Sequence, residues 1–546
     1  MSAPHFTRGH VIMEARARPG AELESVWRSI NLRKTGPEHN RAMGQAVTTP
    51  HSMRGPGVQD RRVWLLLSAL LLVLGLAFQG TRGLWSPDEG RFTGGAVQML
   101  DSGHWLVPRY SPDQPNLSKP PVTYWAIAAS VAVFGHDTWA VRLPYALAYV
   151  LTALLVGLIA RCWMGDRAWL AALVYGLALG PFLTANIVST DVPLTLFETL
   201  AMLGYVRAEF AGDAGARGRW ALLMWAGFGL AFLTKGPPGL LPLLAAIPYS
   251  ARRGGWRGCG RLCTLPGLAL FLLIGGGWYL AVMLREPGAV HDFLYREVYE
   301  RIFTATQQRN PQWYGGFVVY LPFLLLGTLP WWPSLARATR AAWRDGWMRS
   351  DPRLLLWLWV LLPLLVFFLA RSRLPLYVLP LLAPLALLAA IELAARIDLA
   401  RRRQQAALAL WVLLLLLVKG GAALYAHSAN DERALAARLH SVTVARPYAA
   451  LMFVEDIGTA YQREQRTPWG LNLYLRRPVY AVAWGMPADR TRLCGTLDAR
   501  GALLVVADRG VATAVQDALR GCTARVEPLG TLHHARLLWA APAGGR

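Results

Sequence analysis

The sequence predicts an α-helical polytopic membrane protein with a small α/β domain at its C-terminal end. Hydrophobic residues make up 54% of the chain and charged residues only 16%, which is too apolar for a soluble protein of 546 residues. Leucine-rich segments that approach the length needed to cross ~30 Å of hydrocarbon recur between residues 63 and 428. From residue 429 to 546, short β-rich runs alternate with amphipathic stretches, which indicates a layered α/β domain.

About 11–13 membrane-spanning helices are expected, several of them short or interrupted by proline. Their predicted limits are residues 63–80, 142–160, 168–184, 192–206, 220–234, 239–249, 265–284, 317–329, 354–370, 376–394 and 406–425. The apolar stretch 121–134 is too short to span a bilayer comfortably, so we interpret it as a helix on the outer membrane surface.

The net charge of +23 comes largely from arginines that cluster between the apolar segments. Residues 1–62 are rich in charged residues, proline and glycine without periodicity, which predicts a disordered basic tail. With this tail in the cytoplasm, most other arginine clusters fall on the same side, as the positive-inside rule requires. The charge therefore reflects topology, no nucleic-acid partner is expected, and the C-terminal domain is expected on the outer side.

Two of the five cysteines, Cys494 and Cys522, fall in the predicted outer domain. They are compatible with a single disulfide in an oxidising compartment, and equally with two buried free thiols. The sequence leaves both interpretations open.

Polar residues gather at the outer ends of the predicted spans, where apolar segments do not carry them without a reason. They are Asp88, Glu89, Arg91, Lys119, Asp191, Lys235, Arg301, Arg371, Arg373 and Tyr377. Carboxylates with a ring of cations at a lipid surface suit a reaction whose leaving group is a phosphorylated lipid, because cations stabilise the departing phosphate and an Asp accepts the proton of an attacking hydroxyl. Each residue alone has an ordinary alternative, a snorkelling Lys or Arg or a helix-capping Asp, but their accumulation on one side favours a catalytic site.

The motifs that carry these residues resemble a known family. They read Pro-Asp-Glu-Gly-Arg-Phe at 87–92, Lys-Pro-Pro at 119–121, Asp-Val-Pro at 191–193 and Arg-Ser-Arg-Leu-Pro-Leu-Tyr at 371–377. The set is similar to that of the bacterial transferases that attach 4-amino-4-deoxy-L-arabinose to lipid A. These enzymes belong to the GT-C superfamily, together with the protein O-mannosyltransferases. The resemblance covers nearly everything from residue 63 onward.

The resemblance implies an inverting glycosyltransferase in the bacterial inner membrane, surrounded by membrane lipids and with its C-terminal domain in the periplasm. Its donor would be a sugar on undecaprenyl phosphate, and its acceptor lipid A or another envelope glycan. Matched position by position, Asp88 would be the general base or orient the acceptor, Asp191 would support it, and Glu89 would share the catalytic group. The substrate-binding group would consist of Arg91, Lys119, Lys235, Arg301 and Tyr377.

The chain also departs from the family pattern. Ser118 stands where the family usually has an acid before Lys-Pro-Pro, and Arg-Glu-Val at 296–298 replaces a His-Glu-His run. The missing groups are associated with a divalent ion in some relatives, so neither a metal nor another cofactor is expected. Phe92 replaces a commoner Tyr and removes one hydroxyl near the donor, which leaves the acceptor open.

Other functions compete with this one. A transferase that glycosylates protein hydroxyls or polysaccharides would use the same lipid-phosphate site. A non-catalytic lipid or sugar transporter would show inverted repeats and charges near the bilayer midplane, and the sequence displays neither feature. A structural or regulatory membrane protein would leave the clustered carboxylates unexplained.

Overall fold

The computed structural model describes residues 58–293, 295, 309–345, 351–398, 401–425, 428–522, 524–532 and 534–542. These residues belong to one compact unit. Up to Tyr425 the described chain consists of helices joined by loops, with one two-stranded hairpin of β1 (Arg109–Ser111) and β2 (Gln114–Pro115). A five-stranded sheet with helices follows. The predicted combination of an apolar helical part and a small C-terminal α/β part is confirmed.

The helices of the first part differ widely in length. In chain order they are α1 (Val58–Leu76), α2 (Asp88–Ser102), α3 (Val122–Phe134), α4 (Thr138–Met164), α5 (Trp169–Gly176), α6 (Leu179–Thr184), α7 (Asp191–Glu209), α8 (Ala214–Lys235), α9 (Leu243–Gly260), α10 (Leu265–Phe271), α11 (Gly277–Arg285), α12 (Ala289–His291), α13 (Gly315–Gly327), α14 (Trp332–Asp345), α15 (Asp351–Leu369), α16 (Leu382–Ala394) and α17 (Arg402–Tyr425). A π-helical segment, Leu272–Gly276, joins α10 to α11, and a 3₁₀ turn, Pro375–Leu381, precedes α16.

Several helices identify the chain as a membrane protein. In the described part, five helical segments are long and apolar enough to cross a bilayer: Thr138–Arg167, Leu265–Arg285, Pro352–Leu369, Pro375–Ala394 and Arg402–Tyr425. The bent pair α13 and α14, whose axes differ by 111°, would make a sixth. By this criterion the count is lower than the expected 11–13. Some predicted spans form short or interrupted helices, whereas α7 and α8, with 19 and 22 residues, are long enough but not apolar enough.

The predicted span 168–184 shows why such segments break. It forms two helices, α5 and α6, separated by Leu177 and the extended residue Ala178. Pro181 has no N–H to donate to the carbonyl of Leu177, so an uninterrupted helix would lose a hydrogen bond there. The stretch 121–134 does form a helix, α3, whose 13 residues are too few to span a bilayer.

The C-terminal part is a mixed sheet covered by helices. Its strands β3 (Ala450–Glu455), β4 (Val479–Ala483), β5 (Leu503–Asp508), β6 (Ala524–Leu532) and β7 (Ala535–Pro542) lie in the order β4-β3-β5-β7-β6. The first three are parallel, and β7 runs antiparallel to β5 and β6. Every residue of β3 and β4 is buried, as expected of parallel strands covered on both faces.

The helices of this part are α18 (Glu432–Thr443), α19 (Ala460–Arg466), α20 (Leu471–Leu475), α21 (Pro487–Arg500) and α22 (Ala512–Gly521). A disulfide joins Cys494 in α21 to Cys522, the residue that follows α22, with the two Cα atoms 5.4 Å apart. Of the two interpretations that the sequence left open, the disulfide is therefore confirmed.

The C-terminal part packs directly on α2 and the loop before it. The N–H of Glu432 donates to the carbonyl of Leu84 at 2.9 Å, and Asn472 Nδ2 donates to the carbonyl of Gly94 at the same distance. Tyr110 stacks on Trp469 with ring centroids 5.0 Å apart. The polar segment between the first two apolar helices is thus held between the helical part and the sheet.

Helices α7 and α8 form a close antiparallel pair, which positions a residue of the site at the end of each helix. Gly204 of α7 makes this approach possible, since a Cβ there would lie 2.7 Å from the Cα of Met224 and 2.9 Å from the carbonyl oxygen of Trp220. Both are backbone atoms, which cannot rotate away. Small residues serve the same purpose where helices approach closely in membranes.

We therefore predict that Gly204→Ala lowers the stability of the protein by about 1–3 kcal/mol, the usual cost of overpacking. The apparent unfolding temperature in detergent would measure the change. The matched control is Gly218→Ala in α8, where a Cβ meets nothing within 4 Å and the helix gains propensity. If both variants unfold at or above the wild-type temperature, the close contact at Gly204 does not constrain the pair.

Candidate active site

A cavity of about 430 Å³ lies beside the first residues of α2 and α7 and the last residue of α8. Its volume falls in the range of small-molecule sites. It brings together seven of the eight predicted site residues: Asp88, Glu89, Arg91, Lys119, Asp191, Lys235 and Tyr377. The eighth, Arg301, lies outside the described residues, as does the Arg-Glu-Val segment at 296–298. Residues far apart in the sequence thus share one cavity.

Asp88 is the first residue of α2 and is more accessible than the other two predicted carboxylates, Glu89 and Asp191. Its side chain is 49% exposed, and its Oδ1 accepts a hydrogen bond from Arg91 Nη2 at 2.8 Å. An acid in the first turn of a helix is favoured by the positive end of the helix dipole. Asp88 is therefore held by one partner and still open to the cavity, as a residue that must reach a substrate would be.

Arg91 lies one turn further along α2, and its side chain is only 11% exposed. Burial alone would lower its pKa, but Tyr110, Asp88, Tyr124 and Glu464 outweigh this effect and raise the pKa. Arg91 is consequently a permanent cation beside Asp88.

Glu89 follows Asp88 in the chain, but its side chain is buried inside the protein. Its carboxylate pairs with Arg82 at 2.6 Å and with the fully buried Arg142 at 2.9 Å. It also accepts the backbone N–H groups of Trp85 at 3.0 Å and Val188 at 3.2 Å. These four partners engage both oxygens, so this geometry favours a positioning role for Glu89 over the catalytic role suggested by the resemblance.

Burial opposes the ionisation of Glu89, but the charges of Arg142 and Arg82 and their hydrogen bonds outweigh it. Together they lower the pKa of Glu89 from 4.5 to about 2. The two arginines were not among the residues selected from the sequence as site residues. One signal was present: Arg142 is an arginine near the start of a long apolar helix, where an unpaired charge would be costly.

Asp191 and Lys235 are joined by a buried ion pair at the ends of α7 and α8. The other oxygen of Asp191 accepts a hydrogen bond from Ser189 Oγ at 2.9 Å. The Lys235 ammonium lies 4.3 Å from the ring centroid of Tyr377, a cation–π geometry. Three predicted residues therefore form one contiguous group on the cavity wall.

Lys119 follows a tightly bonded turn. Ser118 Oγ donates to Asn116 Oδ1 at 2.6 Å, and Asn116 Nδ2 donates to Tyr124 OH at 2.7 Å. The Lys119 ammonium donates to the carbonyl of Ser118 at 2.5 Å. Ser118, which replaces the family's usual acid, thus takes part in the turn that directs Lys119 to the cavity.

The C-terminal part supplies a wall that sequence reasoning missed. Helix α19 contributes Tyr461, Glu464 and Gln465 to the cavity lining. Arg309 binds this helix, with its Nη2 3.4 Å from Tyr461 OH and 3.1 Å from Gln465 Oε1. In the sequence these three residues share only helical spacing. That spacing does not reveal that they line a cavity together with Asp88 and Arg91, which lie more than three hundred positions earlier.

No metal arrangement is found in the part of the chain that the structure describes. There, no group of three or more His, Cys, Asp or Glu side chains is placed to hold an ion. The expectation that the reaction needs no metal stays a prediction.

Comparisons with known proteins agree with the motifs. Residues 118–275 match the family described as dolichyl-phosphate-mannose-protein mannosyltransferase. An undecaprenyl phosphate-alpha-4-amino-4-deoxy-L-arabinose arabinosyl transferase of Pseudomonas aeruginosa is 38% identical over 355 residues, which are 62% of this chain and 61% of the relative. The Aeromonas hydrophila protein of the same name is 36% identical over 316 residues, 57% of this chain and 56% of that protein. The chain thus spans about three fifths of the length of these curated relatives, and the resemblance is confirmed.

Solved structures extend the match to the fold. The crystal structure of ArnT from Cupriavidus metallidurans bound to undecaprenyl phosphate superimposes with a TM-score of 0.70 at 21% identity, covering 87% of this chain and 97% of that one. The Archaeoglobus fulgidus oligosaccharyltransferase gives a TM-score of 0.50 at 11% identity over 84% of this chain and 70% of that one. The predicted GT-C type fold is therefore confirmed.

The buried position of Glu89 generates a prediction about pH. Because its folded pKa is lower than its unfolded pKa of 4.5, its stabilising contribution is present above pH 4.5 and is lost as the pH falls towards 2. The full contribution is about 3 kcal/mol, of which about 2 kcal/mol disappears between pH 6 and pH 3.

We expect Glu89→Gln to lower stability at pH 7 by about 3 kcal/mol, since it leaves the fully buried Arg142 and the partly buried Arg82 without a counter-charge. The variant should also lose less stability than the wild type between pH 6 and pH 3. Unfolding in detergent at both pH values measures the difference. Equal pH dependence in the two proteins would contradict the shifted pKa.

Proposed function

We propose that this protein is an inverting glycosyltransferase that moves 4-amino-4-deoxy-L-arabinose from undecaprenyl phosphate to lipid A or another envelope acceptor. The observation that carries the proposal is the accessible carboxylate of Asp88 in a cavity also lined by Arg91, Lys119 and Lys235. The names of the relatives and the ligand of the Cupriavidus metallidurans structure support the donor. We further propose that the cavity opens to the periplasm and that the chain is an inner-membrane protein with a cytoplasmic N-terminus.

In the proposed reaction, a hydroxyl oxygen of the acceptor attacks C1 of the sugar on the face opposite the phosphate. The bond between C1 and the phosphate oxygen breaks as the new glycosidic bond forms, and the configuration at C1 inverts. Asp88 receives the proton of the hydroxyl, because its carboxylate is far more accessible than those of Glu89 and Asp191. Undecaprenyl phosphate leaves with its negative charge.

The cations have a separate task in this reaction. Negative charge develops on the phosphate as its bond to C1 breaks, and hydrogen-bond donors already placed around it lower the barrier. Arg91 and Lys235 are held by Asp88 and Asp191, and Lys119 by the carbonyl of Ser118. Their geometry therefore exists before the donor binds, which reduces the reorganisation needed during the reaction.

Asp88→Asn is expected to lower transfer at least about 100-fold, because the amide cannot accept the proton of the acceptor. Purified protein with the lipid-linked aminoarabinose donor and lipid A would provide the assay, and binding of undecaprenyl phosphate should persist. Asp101→Asn is the matched control, since Asp101 is an exposed acid in the same helix and does not line the cavity. Transfer by Asp88→Asn at the control rate would exclude Asp88 as the base.

A second candidate uses the same chemistry with another acceptor, a protein or polysaccharide hydroxyl. The match of residues 118–275 to the protein mannosyltransferase family supports this second candidate. The two candidates share the donor site and differ in what enters the cavity from the other side.

Mass spectrometry of cells with and without the gene separates them. We expect lipid A to lose the mass increment of one or more aminoarabinose units when the gene is deleted, and to regain it with the wild-type gene but not with Asp88→Asn. Unchanged lipid A together with a lost sugar on envelope proteins or polysaccharides would favour the second candidate.

A further inference from the structure

We infer that Glu432, the first residue of α18 in the C-terminal part, is a positioning residue that holds Asp88 in place for proton transfer. This inference rests on the proposed function and deepens it. Glu432 does not line the cavity, so its effect on the reaction would pass through the chain that carries Asp88. The C-terminal part would then have a task in the reaction that needs no contact with either substrate.

The first argument is the backbone pairing of the segment that leads to Asp88. Trp85 and Asp431 form an antiparallel bridge, and the N–H of Ser86 donates to the carbonyl of Asn430 at 3.1 Å. Asp88 begins α2 only two residues after Ser86. The chain that enters α2 is therefore held by the segment that leads into α18.

The second argument is the position of the Glu432 carboxyl group, which contacts the chain on both sides of Asp88. Before Asp88, Ser86 Oγ donates a hydrogen bond to Glu432 Oε1. After Asp88, the carboxyl group lies against Gly90, where a Cβ would be 2.7 Å from Glu432 Cδ. Glu432 is only 1% exposed. One buried group thus constrains the residues two positions before and two positions after Asp88.

The third argument is that two glycines make room for this group. Gly90 lies inside the helix α2 and Gly470 has a φ of −74°, so neither needs glycine for its backbone conformation. A side chain at Gly90 would displace the carboxyl group of Glu432. A Cβ at Gly470 would clash with the same group and lie 2.9 Å from the Cα of Gly90. The contact with Glu432 therefore explains the glycine in the Pro-Asp-Glu-Gly-Arg-Phe motif.

The charge of Glu432 is the fourth argument, because the contact with α2 suits a neutral acid. Burial raises the pKa of Glu432 from 4.5 to about 8; the hydrogen bond from Ser86 opposes this shift, and the charges of Glu89 and Asp431 add to it. Ionisation would place a second negative charge near Glu89 in a buried site, which is unfavourable. We therefore expect a pH above 8 to weaken the contact with the first turn of α2 and to displace Asp88.

Other titratable groups on the elements around Glu432 have partners of their own. They are Arg82 and Arg142 with Glu89, Asp88 with Arg91, Arg433 with the carbonyl of Gly80, and Tyr474 with the N–H of Leu84. Glu89 keeps its negative charge throughout this pH range, because its pKa is about 2. The group that changes charge near pH 8 beside the first turn of α2 is therefore Glu432.

The test measures kcat at pH 7 and pH 9 with the lipid-linked aminoarabinose donor and lipid A. With a pKa of about 8, Glu432 is about nine tenths neutral at pH 7 and about one tenth neutral at pH 9. The ratio of kcat at pH 7 to kcat at pH 9 should therefore be about tenfold smaller in Glu432→Gln than in the wild type, because the amide is neutral at both pH values. Glu432→Ala should lower kcat at pH 7 about tenfold or more, since it removes both contacts that flank Asp88.

Glu455→Gln is the matched control. Glu455 is also a buried glutamate of the C-terminal part whose pKa is raised by burial to about 8, but it ends β3 and does not line the cavity. This variant should keep the pH dependence of the wild type. If Glu432→Gln keeps it as well, or if Glu432→Ala transfers the sugar at the wild-type rate, the inference is overturned while the proposed function stands. If the wild type transfers no sugar, the proposed function fails, and the inference fails with it.

Discussion

The buried carboxylate of Glu89 between Arg82 and Arg142 is the interaction on which the geometry of the site depends. It joins three segments that are distant in sequence. Arg82 also donates to the carbonyl of Asn186 at 2.9 Å, and the N–H of Val188 donates to Glu89 at 3.2 Å. The loop before α2, the start of α4 and the loop before α7 are therefore tied to one charge cluster. Since Asp88 and Asp191 begin α2 and α7, the cluster fixes the distance between the two ends of the site. Buried ion networks of this kind add little net stability but are costly to break, which suits a role in specifying geometry.

The C-terminal part completes this arrangement from the other side. A Cβ at Gly90 would lie 2.7 Å from Glu432 Cδ, so a larger residue at this position would displace the Glu432 carboxyl group from the first turn of α2. Burial raises the pKa of Glu432 from 4.5 to about 8, against the opposing hydrogen bond with Ser86. The carboxyl group is then neutral near pH 7 and can lie close to Glu89 without charge repulsion. The α/β part thus forms one wall of the cavity, and the Glu432 carboxyl group buried at its contact with α2 adds no unpaired charge.

The fold class and most of the cavity residues could be predicted from the sequence. The cavity residues could be selected because they belong to motifs at the ends of apolar segments. Asp191 and Lys235 could be selected in this way, and their pairing explains why both stand there. The role of Glu89 could not be predicted, since it depends on Arg142, which reaches it only after α4 packs beside α2. The wall formed by α19 was missed for the same reason. Its cavity-facing residues carry no motif, and their proximity to Tyr110 depends on how the sheet packs against α2.

The pairing of charges in the cavity has a further physical meaning. A purely basic pocket would bind any phosphate, and its cations would repel one another before a ligand arrived. Here Arg91 and Lys235 each have a carboxylate partner, so repulsion is low and the side chains occupy fixed positions. Little of the surrounding surface is open to water, since the side chains of Arg91, Lys235 and Asp191 are 11%, 8% and 7% exposed. Charges in such a setting interact more strongly than in bulk water. A phosphate that enters the cavity therefore meets cations already in place, and its affinity depends on geometry more than on the excess of positive charge in the chain.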